Sequence, residues 1–266
     1  MILVMAGTRE GREAFSFCRQ RGYPVLATVA TPCGELALSG QNGRPAGEGQ
    51  LGVACARLNV REMAELIKSR GAVAVVDATH PYAAKASATA RSACRQAGVL
   101  YIRFARPPAK FPSSHLIHRC PDYARAAEQA ASLAAGGKTI FLTTGSKTVN
   151  IFAAEAQKTG ARVVARVLPV PESLEACLAA GLSPKDLVAV WGPLDYGANR
   201  ELFRYFGASV VVTKDSGPAG GTEEKVGAAL DLGIAVVVVE RPSEDGGEGL
   251  AVESLEELED VLAKLF

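Results

Sequence analysis

Short runs of β-branched and other apolar residues alternate along the chain with longer stretches rich in Ala, Arg and Glu. That alternation is the pattern of strand–helix units feeding a parallel sheet. It predicts strands at Met1–Ala6, Val25–Ala30, Val73–Asp77, Leu100–Phe104, Lys138–Thr143, Arg162–Leu168, Leu187–Trp191, Ser209–Thr213 and Ile234–Glu240. Several are apolar nearly throughout, as strands buried on both faces must be. Helices are predicted at Arg9–Arg21, Val60–Arg70, Ala83–Ala97, Tyr123–Ala135, Lys147–Lys158, Asn199–Phe206, Glu223–Leu232 and Leu255–Leu265. The fold class is therefore α/β.

A weak internal repeat divides the chain. Ile2–Thr8 leads from a strand into a helix, and Thr139–Gly145 does the same about half the chain later. Two Rossmann-like lobes are expected, each a parallel sheet flanked by helices, with a ligand cleft between them. The Pro-rich stretch Arg106–Pro112 disfavours helix and strand interior alike and is the predicted crossover. That places the lobes at residues 1–112 and 113–266. Gly34–Gly52 is Gly-rich and aperiodic, so a mobile loop or an irregular hairpin is expected there.

Composition narrows the function classes. At 48% apolar and 21% charged the chain is an ordinary globular one. No apolar run approaches the roughly 18 residues of a membrane-spanning helix. The opening Ile2-Leu3-Val4-Met5 has no basic segment ahead of it, so a cytoplasmic location is expected. Six cysteines form no C-x-x-C pair, so zinc-ligand spacing is absent and free thiols are expected. A net charge of +1 gives no whole-molecule reason for binding nucleic acid. Locally the charge is uneven. From Ala78 to Pro121 there is no Asp or Glu, yet the stretch holds seven Lys or Arg residues and all three histidines. Such a region suits an anion. The Glu-rich tail around Glu253–Asp260 reads as a solvated helix face.

The candidate chemistry lies at predicted strand ends. Gly7-Thr8-Arg9-Glu10-Gly11-Arg12 follows the first strand and opens a helix, where free N–H groups and the helix dipole favour a phosphate or carboxylate. Arg9 stands where the second glycine of G-x-G-x-x-G would be, so Thr8 and the arginines are the better anion contacts; a plain tight turn is the alternative. Thr143-Thr144-Gly145-Ser146-Lys147 holds the same place in the second half, and its hydroxyls suit phosphate or a simple helix cap. Asp77-Ala78-Thr79-His80-Pro81-Tyr82 ends a buried strand at the edge where ligands bind in open α/β sheets. Asp77 and Thr79 also read as helix caps, with Pro81 in the first turn. Lys214, Ser216, Gly217 and Lys225, with Gly220 and Gly221, form the second-half counterpart, an anion-accommodating or merely flexible loop. Arg103 and Arg106 end or follow a strand. Arg166 lies where a dinucleotide fold reads the adenosine ribose, and an Arg there favours a 2′-phosphate, unless it is a solvated edge arginine. His115 and His118 read equally as surface residues or as ligands.

In combination these residues resemble one family, the precorrin-6A and cobalt-precorrin-6A reductases of corrin (cobalamin) biosynthesis. The matching stretches are GTREGR (7–12), DATHPYAA (77–84), Arg103 with Arg106-Pro107, FLTTGSK (141–147), ARVLP (165–169), WGP (191–193), TKDSG (213–217) with EEK (223–225), and ERP (240–242). They run in order across nearly the whole chain. The chain departs from the family pattern at Ser146-Lys147, where Arg or Gln often follows the glycine, and at Ala6, where a second glycine is usual.

The resemblance implies an oxidoreductase in which a reduced nicotinamide cofactor, NADPH in preference to NADH, gives hydride to one double bond of a tetrapyrrole-derived macrocycle. A proton completes the reduction on the neighbouring carbon. Thr143, Thr144, Gly145, Ser146, Arg166 and Lys214 are the implied cofactor contacts. Gly7, Thr8, Arg9, Asp77, Thr79, Arg103, Arg106, Ser216, Gly217 and Lys225 are implied on the substrate side, with His80 or Tyr82 as the proton source. The acid-free stretch would meet the ring's carboxylates, which need Arg, Lys and hydroxyl donors. A small-molecule partner is expected, with no nucleic acid and no membrane, and a monomer, with a dimer as the alternative. Two other readings fit similar loops: a non-enzymatic two-lobe anion or nucleotide sensor, and a sugar-nucleotide-modifying enzyme.

Overall fold

A computed structural model describes residues 1–30, 53–55, 57–105, 108–242 and 249–266. Arg106 and the stretch Gly34–Gly52 lie outside the described residues. The strands are β1 (Ile2–Met5), β2 (Val25–Val29), β3 (Val53–Cys55), β4 (Ala74–Asp77), β5 (Leu100–Phe104), β6 (Ile117–Cys120), β7 (Thr139–Leu142), β8 (Arg162–Val167), β9 (Leu187–Ala189), β10 (Ala208–Lys214), β11 (Ala235–Val239) and β12 (Leu250–Val252). The α-helices are α1 (Arg9–Gln20), α2 (Val60–Ser69), α3 (Ala84–Ala97), α4 (Tyr123–Leu133), α5 (Val149–Thr159), α6 (Pro171–Ala179), α7 (Tyr196–Tyr205), α8 (Thr222–Asp231) and α9 (Leu255–Leu262).

The strands form two six-stranded sheets, ordered β3-β2-β1-β4-β5-β12 and β9-β8-β7-β10-β11-β6. Every pairing is parallel. Each sheet thus has the doubly wound order, in which strand succession reverses beside the first strand. The reversal falls between β1 and β4 in the first sheet and between β7 and β10 in the second. The internal repeat is visible here, since β1 and β7 hold equivalent places.

Both faces of the first sheet are covered, and for that reason its strands are mostly apolar, with Thr28 in β2, Asp77 in β4 and Arg103 in β5 as the polar interruptions. Ile2 and Val4 point to one face with Ala14, Phe15, Cys18, Leu258 and Leu262, while Leu3 points to the other with Met63, Ile67, Ala90 and Cys94. In α1 the buried positions Gly11, Ala14, Phe15 and Cys18 repeat at helical spacing. The second sheet packs Phe141, Val211, Val236 and Val238 against Phe203 and Val226 on one face.

The division of the chain differs from the expected 1–112 and 113–266. One unit is Met1–Pro107 with Ser243–Phe266, and the other is Pro108–Pro242. The physical reason is strand pairing: β12 continues the first sheet, with Leu250 opposite Ile102 and Val252 opposite Phe104. The acidic helix α9 then buries Leu258 and Leu262 in the first core while its glutamates face outward. The sixth place of the second sheet is filled by β6 beside β11. The strands β3, β6 and β12 and the helix α6 add to the elements read from the sequence. Cys18, Cys94, Cys120 and Cys177 are buried free thiols, and burial pushes Cys18 and Cys94 up to about 12. No helix among the described residues is long and apolar enough to cross a membrane.

Candidate functional site

The loops that leave the carboxyl ends of β1, β4, β7 and β10 carry nearly all the candidate residues. They lie beside the strand-order reversal of their own sheet, where backbone groups at strand ends have no sheet partner and helices begin. The two units hold different chemistry.

In the first unit the loop after β1 is tied to the loop after β4. Thr8 caps α1 by accepting from the Gly11 N–H at 3.0 Å and donates its own hydroxyl to the Ala78 carbonyl at 2.6 Å. Gly7 is exposed, with open space where a Cβ would stand. Gly11 is the glycine under steric demand, because an added Cβ would lie 2.7 Å from the Ala6 Cα and 2.8 Å from the Met5 carbonyl oxygen. Arg9 points along the helix surface to Glu13, at 2.8 Å.

Asp77 is fully buried and saturated. Its Oδ1 accepts from the Thr79 N–H at 2.9 Å, the Thr79 hydroxyl at 2.7 Å and the Arg103 Nη1 at 3.2 Å, and its Oδ2 accepts from the Tyr101 hydroxyl at 2.7 Å. Burial alone would raise this carboxyl. The Arg103 charge, with hydrogen bonds from Ser87, Thr79 and Tyr101, outweighs burial and holds it below its ordinary value. Arg103 Nη1 also donates to the Asp77 and Thr79 carbonyls, each at 3.1 Å. Neither Asp77 nor Thr79 caps the next helix. That helix starts at Ala84 after an Ala83 with no side-chain cap, Pro81 stands in the preceding turn, and Thr79 instead meets Ser87 one turn in, at 3.2 Å. This frame fixes the course of the segment that carries His80 and Tyr82. Both are half-buried, their rings lie 5.5 Å apart, and the Tyr82 N–H donates to His80 Nδ1 at 3.3 Å.

In the second unit the hydroxyls after β7 are engaged locally. Thr143 donates to the Val212 carbonyl at 2.9 Å, Thr144 meets Thr148 at 3.1 Å, and Ser146 donates to Ser173 at 3.3 Å. Gly145 turns the chain at φ +89°, a value that favours glycine. The cations stand on either side of this loop. Leu142 at the end of β7 is level with Ala165 of β8 and Val212 of β10, so Arg166 and Lys214 extend just past it on the two neighbouring strands. Arg166 Nη1 donates to Asn199 Oδ1 at 2.6 Å, and burial pulls its guanidinium down to about 10. Asn199 is itself fully buried, its amide fixed by the Leu194 and Asp195 carbonyls. Lys225, in the first turn of α8, completes a group of three cations.

The loop after β10 is organised by Asp215. Its Oδ1 accepts from the Ala109 N–H and the Gly217 N–H, both at 3.1 Å, and lies 3.3 Å from Arg241 Nη2. Arg241 Nε donates to the Asp215 carbonyl at 3.1 Å. Ser216 gives its N–H to Thr222 Oγ1 at 3.1 Å, and Gly217 and Gly221 adopt φ of +71° and +64°. Ser216 and Gly217 thus stand in a buried, backbone-pinned turn. Asp215, Arg241, Asn199, Tyr101 and Gly11 were not singled out from the sequence, although Gly11, Asp215 and Arg241 lie inside the quoted GTREGR, TKDSG and ERP stretches.

The sequence pattern of the family described as precorrin-6x reductase CbiJ/CobK matches residues 1–265. A cobalt-precorrin-6A reductase of Priestia megaterium is 34% identical over 249 residues, covering 93% of this chain and 92% of its own length. A cobalt-precorrin-6A reductase of Salmonella typhimurium is 37% identical over 247 residues, covering 91% and 88%. Among solved structures, the CobK precorrin-6A reductase superposes with a TM-score of 0.75 at 26% identity, covering 99% of this chain and 96% of its own.

Proposed function

The chain belongs to the precorrin-6x reductase family, and from that membership we propose that it reduces precorrin-6A or cobalt-precorrin-6A with hydride from a nicotinamide cofactor, NADPH in preference to NADH. The observation that carries the cofactor assignment is the placing of Arg166 and Lys214 on either side of the Gly145 turn, with Lys225 beside them. A buried Lys225 ammonium and a buried Glu224 Oε2 that lacks a hydrogen-bond partner fit a ligand that brings both an anion and a hydroxyl donor, as a ribose phosphate does. When bound, the reduced nicotinamide supplies the hydride, and that chemistry belongs to the cofactor.

The work of this chain is binding, orientation and proton delivery. Arg166, Lys214 and the turn at Gly145 hold the cofactor at the second sheet. The macrocycle's carboxylates are met from the first unit, where Gly7, Thr8 and the segment from Thr79 to Tyr82 stand at the strand ends. Asp77 and Arg103 act there as positioning residues, fixing that segment through Thr79. His80 or Tyr82 supplies the proton to the carbon beside the one that receives hydride. The test is whether NADPH is consumed only when the macrocycle is added, followed by the loss of reduced-nicotinamide absorbance. Tight binding of both without consumption would sink the reading in favour of a sensor.

A further inference from the structure

Two arginines of β8 stand at opposite ends of the strand and are held in different ways. Arg162, at the start, gives Nε and Nη2 to the Asp186 carboxylate at 2.9 and 2.6 Å, so its charge is met by an opposite one. Arg166, at the carboxyl end where ligands bind in such sheets, gives Nη1 to Asn199 Oδ1 at 2.6 Å. Among the described residues that is its one hydrogen bond, and no carboxylate stands within ion-pair distance of it.

The orientation of the Asn199 amide follows from its neighbours. The side chain is fully buried, and its Nδ2 donates to the Leu194 carbonyl at 3.0 Å and to the Asp195 carbonyl at 2.7 Å. Both amide hydrogens are thereby used, and a guanidinium offers only donors, so the atom facing Arg166 must be the amide oxygen. An aspartate of the same shape would turn an acceptor towards two carbonyls. Those carbonyls belong to the connection from β9 to α7, which packs against the turn before α8: a Cβ on Gly221 would lie 3.1 Å from Pro193 Cβ and 3.7 Å from the Leu194 oxygen. The acceptor that Arg166 meets is therefore anchored to a packed loop.

The consequence is electrostatic. A carboxylate partner would hold the guanidinium but cancel its charge, as Asp77 does for Arg103 and Asp186 for Arg162. A neutral oxygen holds it and leaves the charge to be met by a ligand. Arg166 is half-buried rather than sealed, and its planar fork keeps donors for an incoming anion. In a dinucleotide fold, an arginine about 20 residues beyond the glycine turn meets a phosphate on the adenosine 2′ oxygen, and Arg166 stands at that spacing from Gly145.

We propose that Asn199 is a positioning residue that sets the choice between NADPH and NADH, by holding the Arg166 guanidinium with its charge uncancelled where the 2′-phosphate enters. This rests on the cofactor reading above and deepens it by naming the residue that acts through Arg166.

NADP+ and NAD+ differ only in the 2′-phosphate, so calorimetric titration of the whole protein with each, without macrocycle, reads the preference apart from turnover. Wild type is expected to bind NADP+ more tightly by about tenfold or more, the worth of a hydrogen bond to a charged group. Asn199→Asp sets a carboxylate against Arg166 and is expected to remove most of that preference by weakening NADP+, with NAD+ affected far less. Asn199→Ala releases Arg166 without adding charge. It is expected to give a smaller loss in the same direction, and it carries the test where the aspartate variant does not fold. In Arg166→Gln the preference is expected to be gone, and adding Asn199→Asp should change it no further, because a residue that acts only through Arg166 has nothing left to act on. An unchanged preference in the folded Asn199 variants, whether or not both affinities fall, would overturn the proposal, since a merely structural asparagine or a pyrophosphate contact gives that result. So would a preference that survives in Arg166→Gln. Wild type binding both nucleotides equally would overturn it while leaving the reductase reading intact. Wild type binding neither would sink the cofactor reading and the proposal with it.

Discussion

The Oδ1 of Asp77 lies 3.2 Å from Nη1 of Arg103, and both side chains are buried in the first unit. Breaking one side of such a pair leaves a desolvated charge behind, which typically costs about 3 to 5 kcal/mol. Asp77→Asn should therefore lower stability by about 3 kcal/mol at neutral pH, read from urea unfolding. The pH dependence has a definite sign. The Asp77 carboxyl is held below its ordinary value, so its contribution is present above the unfolded-state pKa of about 4 and is lost as pH falls through the folded value. The gap between wild type and variant should stay constant above about pH 5 and shrink in acid. A gap that is unchanged at low pH would show that the pair is not what Asp77 contributes.

The α/β class was legible because parallel strands buried on both faces must be largely apolar, as β1 and β11 are throughout and β4 is up to Asp77. The strands that escaped are short or at sheet edges. In β6, Ile117-His118-Arg119-Cys120 has only its last residue buried, and β12 is three residues long. Which sheet takes β12 depends on its pairing with β5 across the whole second unit, and no local pattern encodes that. The candidate loops were legible as strand ends. Their internal bonding was not, because a sequence presents Arg103 as a cation awaiting an anion and cannot say that the anion is Asp77. Asp215 is illegible for a related reason, since its partners Ala109 and Arg241 lie far away along the chain.

Asp215 joins three segments through one oxygen, and its removal should be felt at all three. Asp215→Ala strands the buried N–H groups of Ala109 and Gly217 and removes the carboxylate that lies 3.3 Å from Arg241 Nη2. The expected loss is about 3 kcal/mol, an unsatisfied buried donor typically costing about 1 to 3. Amide exchange at Ala109 and Gly217 should accelerate, together with the loop to Thr222, while amides in β1 and β4 keep their protection relative to global unfolding. Unchanged exchange at Ala109 would refute the clasp.

His80 is proposed to deliver a proton, and general acids typically contribute about a hundredfold to ten-thousandfold. His80→Ala should lower kcat by at least about a hundredfold with little change in the KM for the macrocycle. Tyr82→Phe in parallel separates the two candidates, because it keeps the ring beside His80 and removes only the hydroxyl. Full turnover in both variants would move the proton source to water.

The two glycines of the first loop should behave oppositely, and the contrast tests which one serves the fold. At Gly11 a methyl group would press on backbone, 2.7 Å from the Ala6 Cα and 2.8 Å from the Met5 carbonyl oxygen, and neither can yield as a flexible side chain could. Gly11→Ala must therefore push α1 away from the end of β1, at a cost of about 2 kcal/mol or more. It would also strain the Thr8 cap, which takes its hydrogen bond from the Gly11 N–H. At Gly7 the same methyl meets nothing within 4 Å and the backbone needs no left-handed conformation. Gly7→Ala should leave stability within about 0.5 kcal/mol of wild type. Whatever it does to macrocycle affinity then reports on contact rather than folding. Weaker binding at unchanged stability would place the ligand against Gly7, and unchanged binding would remove Gly7 from the substrate side.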